Sequence, residues 1–420
     1  MMQSHINLPA AWRAWNAAPQ NPTMPRPSAF PFDPLQMAFR AGQEFYRAGL
    51  ISLVNTSRMV KGKPPVSWPA VGATPYDVVW CDRTTRLLRY RNLAPINDAV
   101  ASRPRRPPLL IVCSLINRPY VLDLLADRSV VRRFLEAGVD VWLLDWGSPS
   151  PEDAGRGIAD YALGTLPRAA DVVLATTGEE SLHLLGYCMG GSLSLAAIAA
   201  GRLPAASLIA LATPVDLHDD GLLSAWCRMP GFDAAELAEL HGNVPPYLLQ
   251  PAFKMLDPVG LATKFRHLEA KVGDDDFIRF FLAMETWLED SVSFPGRAFA
   301  EWVAAYRDNA FARGTLLLDG RAIDLRRVTC PILNVVADGD YITPPASSLA
   351  LGALVGSKSY EEVRLPGGHI GLSTGGAAHR GLWPKAAAWV HTHQKAPARV
   401  RADKPLEANA SKRAKRRSAR

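Results

Sequence analysis

Short apolar runs alternate along this chain with longer segments that have the spacing of amphipathic helices. The apolar runs predict strands that are buried on both faces of a sheet, and they cover 109–115, 140–145, 182–185, 206–212 and 331–337. The other predicted elements are a hairpin at 77–81 and 86–90, a last strand at 360–365, and helices at 130–137, 158–176 and 383–391. This alternation predicts an α/β protein with a mostly parallel sheet and helices on both faces.

The alternation breaks between residues 213 and 325. No central strand is predicted there, and helical segments rich in Trp and Phe fill the interval. We interpret 213–325 as a helical cap inserted over the carboxyl edge of the sheet, where the active sites of such sheets open. Most of its aromatic residues are expected to pack the cap itself; they include Trp226, Trp287, Trp302, Phe277, Phe280 and Phe281.

The two ends of the chain differ in composition from the predicted core, which comprises 75–212 and 326–393. Residues 1–34 contain seven prolines and little periodicity, so they are predicted to form a disordered leader. Residues 35–74 are predicted to be an N-terminal helical segment, with an amphipathic helix at 34–59. Residues 394–420 are basic, lack apolar periodicity and are predicted to be disordered.

Composition narrows the class of protein and its compartment. With 420 residues, 48% of them hydrophobic and 21% charged, the chain can bury a large core. No apolar run approaches the roughly 20 residues of a membrane helix, and the start lacks the layout of a secretory signal. The five cysteines are scattered, which favours a reducing cytoplasm over a disulfide framework.

The formal net charge of +7 arises from the C-terminal tail rather than from the fold. Residues 395–420 contain ten Lys or Arg and two acidic residues, so the rest of the chain is close to neutral. Solvated disorder is the favoured interpretation of this tail, and contact with nucleic acid is the alternative.

One stretch carries the candidate chemistry. Gly186-Tyr187-Cys188-Met189-Gly190 follows a predicted strand and precedes a small-residue segment compatible with a helix. Strand, Gly-x-nucleophile-x-Gly and helix form the nucleophile elbow of the α/β-hydrolase fold, in which a strained turn exposes the central side chain above the sheet. The central residue here is a cysteine, whose thiolate suits attack on a thioester.

The partners that a thiol nucleophile needs occur in the expected order. The base and its orienting acid should follow the last two strands, where Asp338, Asp340 and His369 are found. Spacing alone does not choose between the two aspartates. The expected oxyanion donors are the N–H of Met189 and an N–H near Ile116.

Neither a metal nor a cofactor is expected from the motifs. The His391-Thr392-His393 pair has no further ligand at a suitable spacing, so no metal site is predicted. The chain contains neither a P-loop nor GxGxxG, so no nucleotide cofactor is predicted.

Together with the elbow, a series of segments in one order resembles polyhydroxyalkanoate synthases, most closely the short catalytic subunits of the two-component, class III-like type. The matching segments are 109–112, 117–120, 144–147, 184–191, 213–216, 222–226, 242–245, 329–334 and 366–371. The resemblance covers about residues 75–393. It implies an α/β-hydrolase fold with an inserted helical cap.

The resemblance also implies roles for individual residues. The nucleophile of the family falls on Cys188 and its histidine on His369. Its aspartate falls on Asp340, because 340–344 fits the family frame Asp-His-(Ile/Leu)-Val-Pro. Tyr341 stands where the family usually has His, and it is implied to contact substrate together with Asn117.

The implied reaction is polymerisation of (R)-3-hydroxyacyl-CoA with release of CoA, through an acyl group carried on Cys188. The CoA thioester is the substrate, and no cofactor is implied. The implied partners are a second copy of the chain, an accessory synthase subunit and a cytoplasmic polyester granule. Two alternatives stay open: a cysteine-dependent hydrolase, such as a thioesterase or a polyester depolymerase, and a non-catalytic granule- or nucleoid-associated protein.

Overall fold

The structure is a computed structural model that describes residues 33–93 and 107–394. The predicted leader, apart from Asp33 and Pro34, and the basic tail after Gln394 lie outside the described residues. Within the described ranges, no helix combines the length and apolar character needed to cross a bilayer.

Eight strands form the main sheet, and most of them are close to the predicted runs. They are β1 (Tyr76–Asp82), β2 (Thr85–Tyr90), β3 (Pro108–Val112), β4 (Asp140–Asp145), β5 (Leu182–Tyr187), β6 (Ala205–Leu211), β7 (Ile332–Ala337) and β8 (Tyr360–Leu365). The largest difference is in β3, which ends three residues before the predicted strand does. There the chain turns away, and the carbonyl of Cys113 accepts a hydrogen bond from Trp146 Nε1 at 2.9 Å.

The strand order is β1-β2-β4-β3-β5-β6-β7-β8. The β1–β2 and β2–β4 pairs are antiparallel, and the other five pairs are parallel. Parallel strands place their carboxyl ends at one edge of the sheet, so the loops after β3, β5, β7 and β8 meet there. The predicted mostly parallel α/β sheet is confirmed.

Helices flank the sheet and fill the interval between β6 and β7. They are α1 (Pro34–Val60), α2 (Val130–Glu136), α3 (Leu166–Thr177), α4 (Met189–Ala199), α5 (Leu222–Cys227), α6 (Ala234–His241), α7 (Pro246–Lys254), α8 (Pro258–Lys271), α9 (Asp275–Glu289), α10 (Gly296–Asp308), α11 (Pro345–Leu349), α12 (Leu351–Leu354), α13 (Gly371–Thr374) and α14 (Trp383–Thr392). Single π-helical turns precede α3 at Asp160–Thr165 and α14 at Ala378–Leu382. Short 3₁₀ turns lie at Pro119–Leu122, Pro151–Asp153 and Leu325–Arg327.

Among the described residues, three further ladders lie outside the main sheet. Their strands are Asp123–Leu125 with Arg128–Ser129, Asn243–Val244 with Phe294–Pro295, and Leu317–Leu318 with Arg321–Ala322. Two of the three fall between β6 and β7, and each of their strands has only two residues. They do not extend the central sheet.

Side chains of the buried strands alternate between two core layers. In β3, for example, Leu110 and Val112 face one layer while Leu109 and Ile111 face the other. The first layer contains buried residues of α3, α4 and α10, and the second contains residues of α2 and α14. The sheet is therefore covered on both sides.

The aromatic residues of 213–325 do not form one cap core. Trp302 packs against the first layer of the sheet, and Phe280 and Trp287 pack in the second. Phe277 and Phe281 belong to a third, smaller cluster. Much of this insertion therefore shares its core with the sheet that it covers.

The third cluster joins α1 to the cap. Leu50 and Val54 of α1 pack there with Leu268, Val272 and Ile278 of the α8–α9 region. Helix α1 ends at Val60, one residue beyond the amphipathic helix predicted at 34–59, because Gly62 has a φ of +68° and Pro64-Pro65 cannot continue a helix.

Candidate active site

Cys188 lies at the turn between β5 and α4, at the carboxyl edge of the sheet. Its backbone has φ 55° and ψ −126°, a conformation that is strained for a residue with a Cβ atom. The side chain is half-buried, and α4 starts at the next residue. The N-terminus of this helix therefore lies beside the sulfur, where its partial positive charge favours a thiolate.

The glycines around Cys188 are required by close packing. A Cβ atom at Gly186 would lie 2.4 Å from the Cα of Gly191. A Cβ atom at Gly190 would lie 2.1 Å from the carbonyl oxygen of Val112, at the end of β3. Any larger residue would push the elbow away from its neighbouring strand or helix, so the turn needs glycine at these positions.

Asp340 and His369 come together from the loops after β7 and β8. Hydrogen bonds join the two loops, since Gly339 N–H donates to Gly367 O at 2.8 Å. Asp340 Oδ2 lies 2.7 Å from His369 Nδ1, and both side chains are buried, with 5% of each residue exposed. The other oxygen, Oδ1, accepts from the N–H groups of Ile342 at 2.9 Å and Thr343 at 2.8 Å, which fixes the carboxylate.

The other candidate acid, Asp338, has a different environment. It is exposed and forms an ion pair with Arg364 at 2.7 Å. The geometry therefore favours Asp340, the aspartate that the family resemblance indicated.

The thiol of Cys188 interacts with His369, and this interaction lowers the pKa of the thiol. Burial is the largest single influence and would raise the pKa of this thiol, but the charge of His369 and hydrogen bonding together outweigh it. Hydrogen bonds from His369, from the Ser114 hydroxyl and from Met189 N–H act in the same direction, and the pKa of Cys188 is lowered from its usual value.

The pKa of His369 is shifted in the opposite direction. Burial alone would lower its pKa, yet the negative charges of Asp340 and of the Cys188 thiolate raise it above the usual range for histidine. The two effects together favour an ion pair between a thiolate and an imidazolium. Such a pair is an activated nucleophile with its proton carrier in contact.

Of the predicted oxyanion donors, Met189 directly follows Cys188, and its N–H is among the groups that lower the pKa of the thiol. Ile116 is partly buried and packs against the first core layer. From the same loop, the buried Ser114 hydroxyl is among the groups that lower the pKa of the Cys188 thiol. The role of the Ile116 N–H stays a prediction. The strand predicted at 109–115 includes Ser114, whereas β3 ends before it. The available signal was a small hydroxyl residue two positions after the strand next to the elbow.

The two predicted substrate contacts are both exposed. Asn117 is exposed on the loop after β3. Tyr341 is 41% exposed and directly follows Asp340 in the chain. Neither side chain is among the groups that hydrogen-bond to Cys188. Their role in binding substrate stays a prediction.

The structure is that of an α/β-hydrolase-fold protein with cysteine at the elbow. The features that define it are the strand order, the strained cysteine between β5 and α4, and the acid and histidine after β7 and β8. A family model described as alpha/beta hydrolase fold matches residues 107–250. This part of the chain contains the elbow and the strands on either side of it.

Known relatives identify the family within that class. The chain is 37% identical over 328 residues to the poly(3-hydroxyalkanoate) polymerase subunit PhaC of Haloferax mediterranei, covering 77% of this chain and 65% of the relative. It is 36% identical over 323 residues to the protein of the same name from Allochromatium vinosum, covering 76% and 89%. The corresponding Synechocystis protein is 34% identical over 333 residues, covering 77% and 86%. The chain belongs to the poly(3-hydroxyalkanoate) polymerase family.

Proposed function

We propose that this chain polymerises (R)-3-hydroxyacyl-CoA into a polyester and releases CoA, with Cys188 as the covalent acyl carrier. The observation that carries the proposal is the contact series from Cys188 through His369 to Asp340, in a chain of this family. The names of the relatives support the polymerase reaction over the alternatives, since each is called a poly(3-hydroxyalkanoate) polymerase subunit.

The first half-reaction loads the thiol. The Cys188 thiolate attacks the thioester carbonyl, and the negative charge that forms on oxygen is stabilised by Met189 N–H. As the new S–C bond forms, the C–S bond to CoA breaks. His369, which took the thiol proton, gives it to the departing CoA thiolate.

The second half-reaction forms the ester bond. The hydroxyl of a 3-hydroxyacyl unit gives its proton to His369, and its oxygen attacks the acyl group on Cys188. A C–O ester bond forms, the S–C bond breaks, and the thiolate is restored. Asp340 keeps Nδ1 of His369 bound throughout, which directs the other ring nitrogen to the reacting groups.

Every acyl and proton transfer in this scheme is assigned to a group of the chain or to the CoA thioester. We therefore propose that no metal or cofactor takes part, so the rate should be unchanged by EDTA. We also propose a homodimer, an accessory synthase subunit and attachment to a cytoplasmic polyester granule. The word "subunit" in the names of the relatives supports a multi-chain assembly.

The test is CoA release from 3-hydroxybutyryl-CoA and from longer 3-hydroxyacyl-CoA, followed with a thiol reagent, with and without an accessory synthase subunit. Cys188→Ala should release no CoA, and Cys188→Ser should be severely slowed. Cys81→Ala is the matched control, because Cys81 is an exposed residue of β1. Release at the wild-type rate by Cys188→Ala would refute the assignment.

Analysis of the product separates the remaining alternatives. Polymer recovered with stoichiometric CoA supports the synthase. Free 3-hydroxy acid without polymer supports a hydrolase that uses water as the second nucleophile. No turnover of any thioester under either condition supports a non-catalytic role, and binding of the basic tail to nucleic acid would then be measured against salt.

A further inference from the structure

Tyr187 contacts His369 in two independent ways. The two rings are stacked, with centroids 5.1 Å apart and planes inclined by 21°. The Tyr187 hydroxyl also donates to the backbone carbonyl oxygen of His369 at 3.2 Å. The tyrosine is 4% exposed and ends β5, directly before the elbow cysteine.

The position of His369 is not fixed by Asp340 alone. Their hydrogen bond restrains Nδ1, but the imidazole can still pivot about the line that joins Nδ1 to Oδ2. A stacked ring on one face blocks this pivot. The other ring nitrogen is then kept directed at the sulfur of Cys188.

The backbone of His369 also needs support. It follows Gly367, which has a φ of +106°, and Gly368, so two flexible residues lead into it. The hydrogen bond from the Tyr187 hydroxyl ties the His369 carbonyl to the end of β5, the strand that also carries Cys188. One side chain therefore anchors the base to the same rigid element as the nucleophile.

Stacking has an electrostatic effect as well. The face of an aromatic ring carries negative potential, so it favours an imidazolium over a neutral imidazole. Burial, together with the charge of the Cys188 thiolate, raises the pKa of the Tyr187 hydroxyl well above its usual value, so this group stays neutral and can donate its hydrogen bond.

We infer that Tyr187 is a positioning residue, which holds the His369 ring against Cys188 through the ring stack and the hydroxyl contact. The inference builds on the proposed role of His369 as proton carrier for the thiol. The inference can be tested separately from polymer synthesis, because the ionisation of the Cys188 thiol can be measured without any acyl-CoA.

The test compares Tyr187→Phe with Tyr187→Leu in a Cys81→Ala background. The rate of alkylation of Cys188 by iodoacetamide is measured against pH. Loss of the ring in Tyr187→Leu should raise the apparent pKa of the thiol by about one unit, so alkylation at pH values below the wild-type pKa should fall about 10-fold. Tyr187→Phe keeps the ring, so its alkylation profile should match that of wild type.

The rate of CoA release tests the role of the Tyr187 hydroxyl. Tyr187→Phe should lower kcat about 3-fold at unchanged KM, because the His369 carbonyl loses its anchor. Tyr187→Leu should lower kcat further. Activity that is largely kept by Phe but lost with Leu would show that Tyr187 positions His369 through its ring. The matched control is Tyr90→Leu, which removes another buried tyrosine, at the end of β2, and should leave alkylation unchanged.

A folded Tyr187→Leu variant with the wild-type alkylation profile would overturn the inference. If that variant does not fold, it is replaced by Tyr187→Met, whose side chain is flexible and similar in volume to that of Leu. The same criterion then applies. If wild type makes no polymer while the alkylation profile still shifts, the proposed function fails and the positioning role stands.

Discussion

Asp340 accepts a hydrogen bond from His369, whereas Asp338, two residues earlier, points outward and pairs with Arg364. The two aspartates share one loop, one residue type and nearly one position in the sequence. They differ only in the residue that each side chain contacts. Substitutions at the two positions therefore form a matched pair of test and control.

Replacing Asp340 by Asn should lower the rate of CoA release about 100-fold or more, because an amide does not stabilise the imidazolium and can select the wrong tautomer of His369. Asp338→Asn removes the same charge from the same loop and should stay within about 2-fold of wild type, since its ion pair is exposed. Steady-state kinetics on both variants decide the assignment. Equal losses of rate in the two variants would contradict the assignment of Asp340 as the partner of His369.

The reactivity of Cys188 should persist at lower pH than that of an ordinary thiol. The pKa of the thiol is lowered in the folded protein, so thiolate is present below the usual thiol pKa of about 8.5 and is lost only as pH falls through the lowered value. His369→Gln removes the opposing charge and should move the alkylation profile to higher pH.

Three of the other cysteines will not obscure this measurement. Burial raises the pKa of Cys113, Cys227 and Cys330, so they stay protonated near neutral pH. The exposed Cys81 is removed by using a Cys81→Ala background. An unchanged profile in folded His369→Gln would mean that the histidine does not set the state of the thiol.

Ser114→Ala should reduce both alkylation at neutral pH and CoA release by about 10-fold, because a hydrogen bond to a charged group is lost. Ser348→Ala is the matched control: that hydroxyl is also buried, but it donates to Thr213 O at 2.9 Å. The control should lower thermal stability and leave the thiol unaffected. If both variants react like wild type, the Ser114 hydroxyl contributes nothing at the sulfur.

Gly190→Ala should destabilise the fold by about 3 kcal/mol or prevent folding, because the added Cβ meets the backbone of Val112, which cannot move aside. Gly164→Ala adds the same methyl group where nothing lies within 4 Å, and it should change stability by less than about 0.5 kcal/mol. Urea unfolding of the two variants gives the comparison. A stable Gly190→Ala protein would show that the elbow can relax.

Local pattern was sufficient to predict the sheet and the elbow. Buried parallel strands read as continuous apolar runs, and the Gly-x-Cys-x-Gly turn needs its glycines for contacts with adjacent elements. The choice of Asp340 over Asp338 did not follow from spacing. It depends on how the loops after β7 and β8 are joined, and that contact is made between residues far apart in the chain.

Other parts of the site and fold were missed for related reasons. Ser114 was assigned to a strand because apolar residues surround it, whereas β3 ends at Val112. Periodicity identified α1 as amphipathic but could not say which surface its apolar side would meet. The sequence predicts that most of the aromatic residues of 213–325 pack the cap itself, while the structure distributes several of them among three clusters.

The docking of α1 links the start of the described chain to the insertion. Arg58, buried near the end of this helix, donates to Val272 O at 3.0 Å and to Asp275 at 2.7 Å, and Tyr46 donates to the buried Glu285 at 2.5 Å. Any tilt or lift of α8 and α9 must therefore carry α1 along as part of the same body. A fluorescent label on the outer side of α1 would report movement of the insertion without disturbing the sulfur.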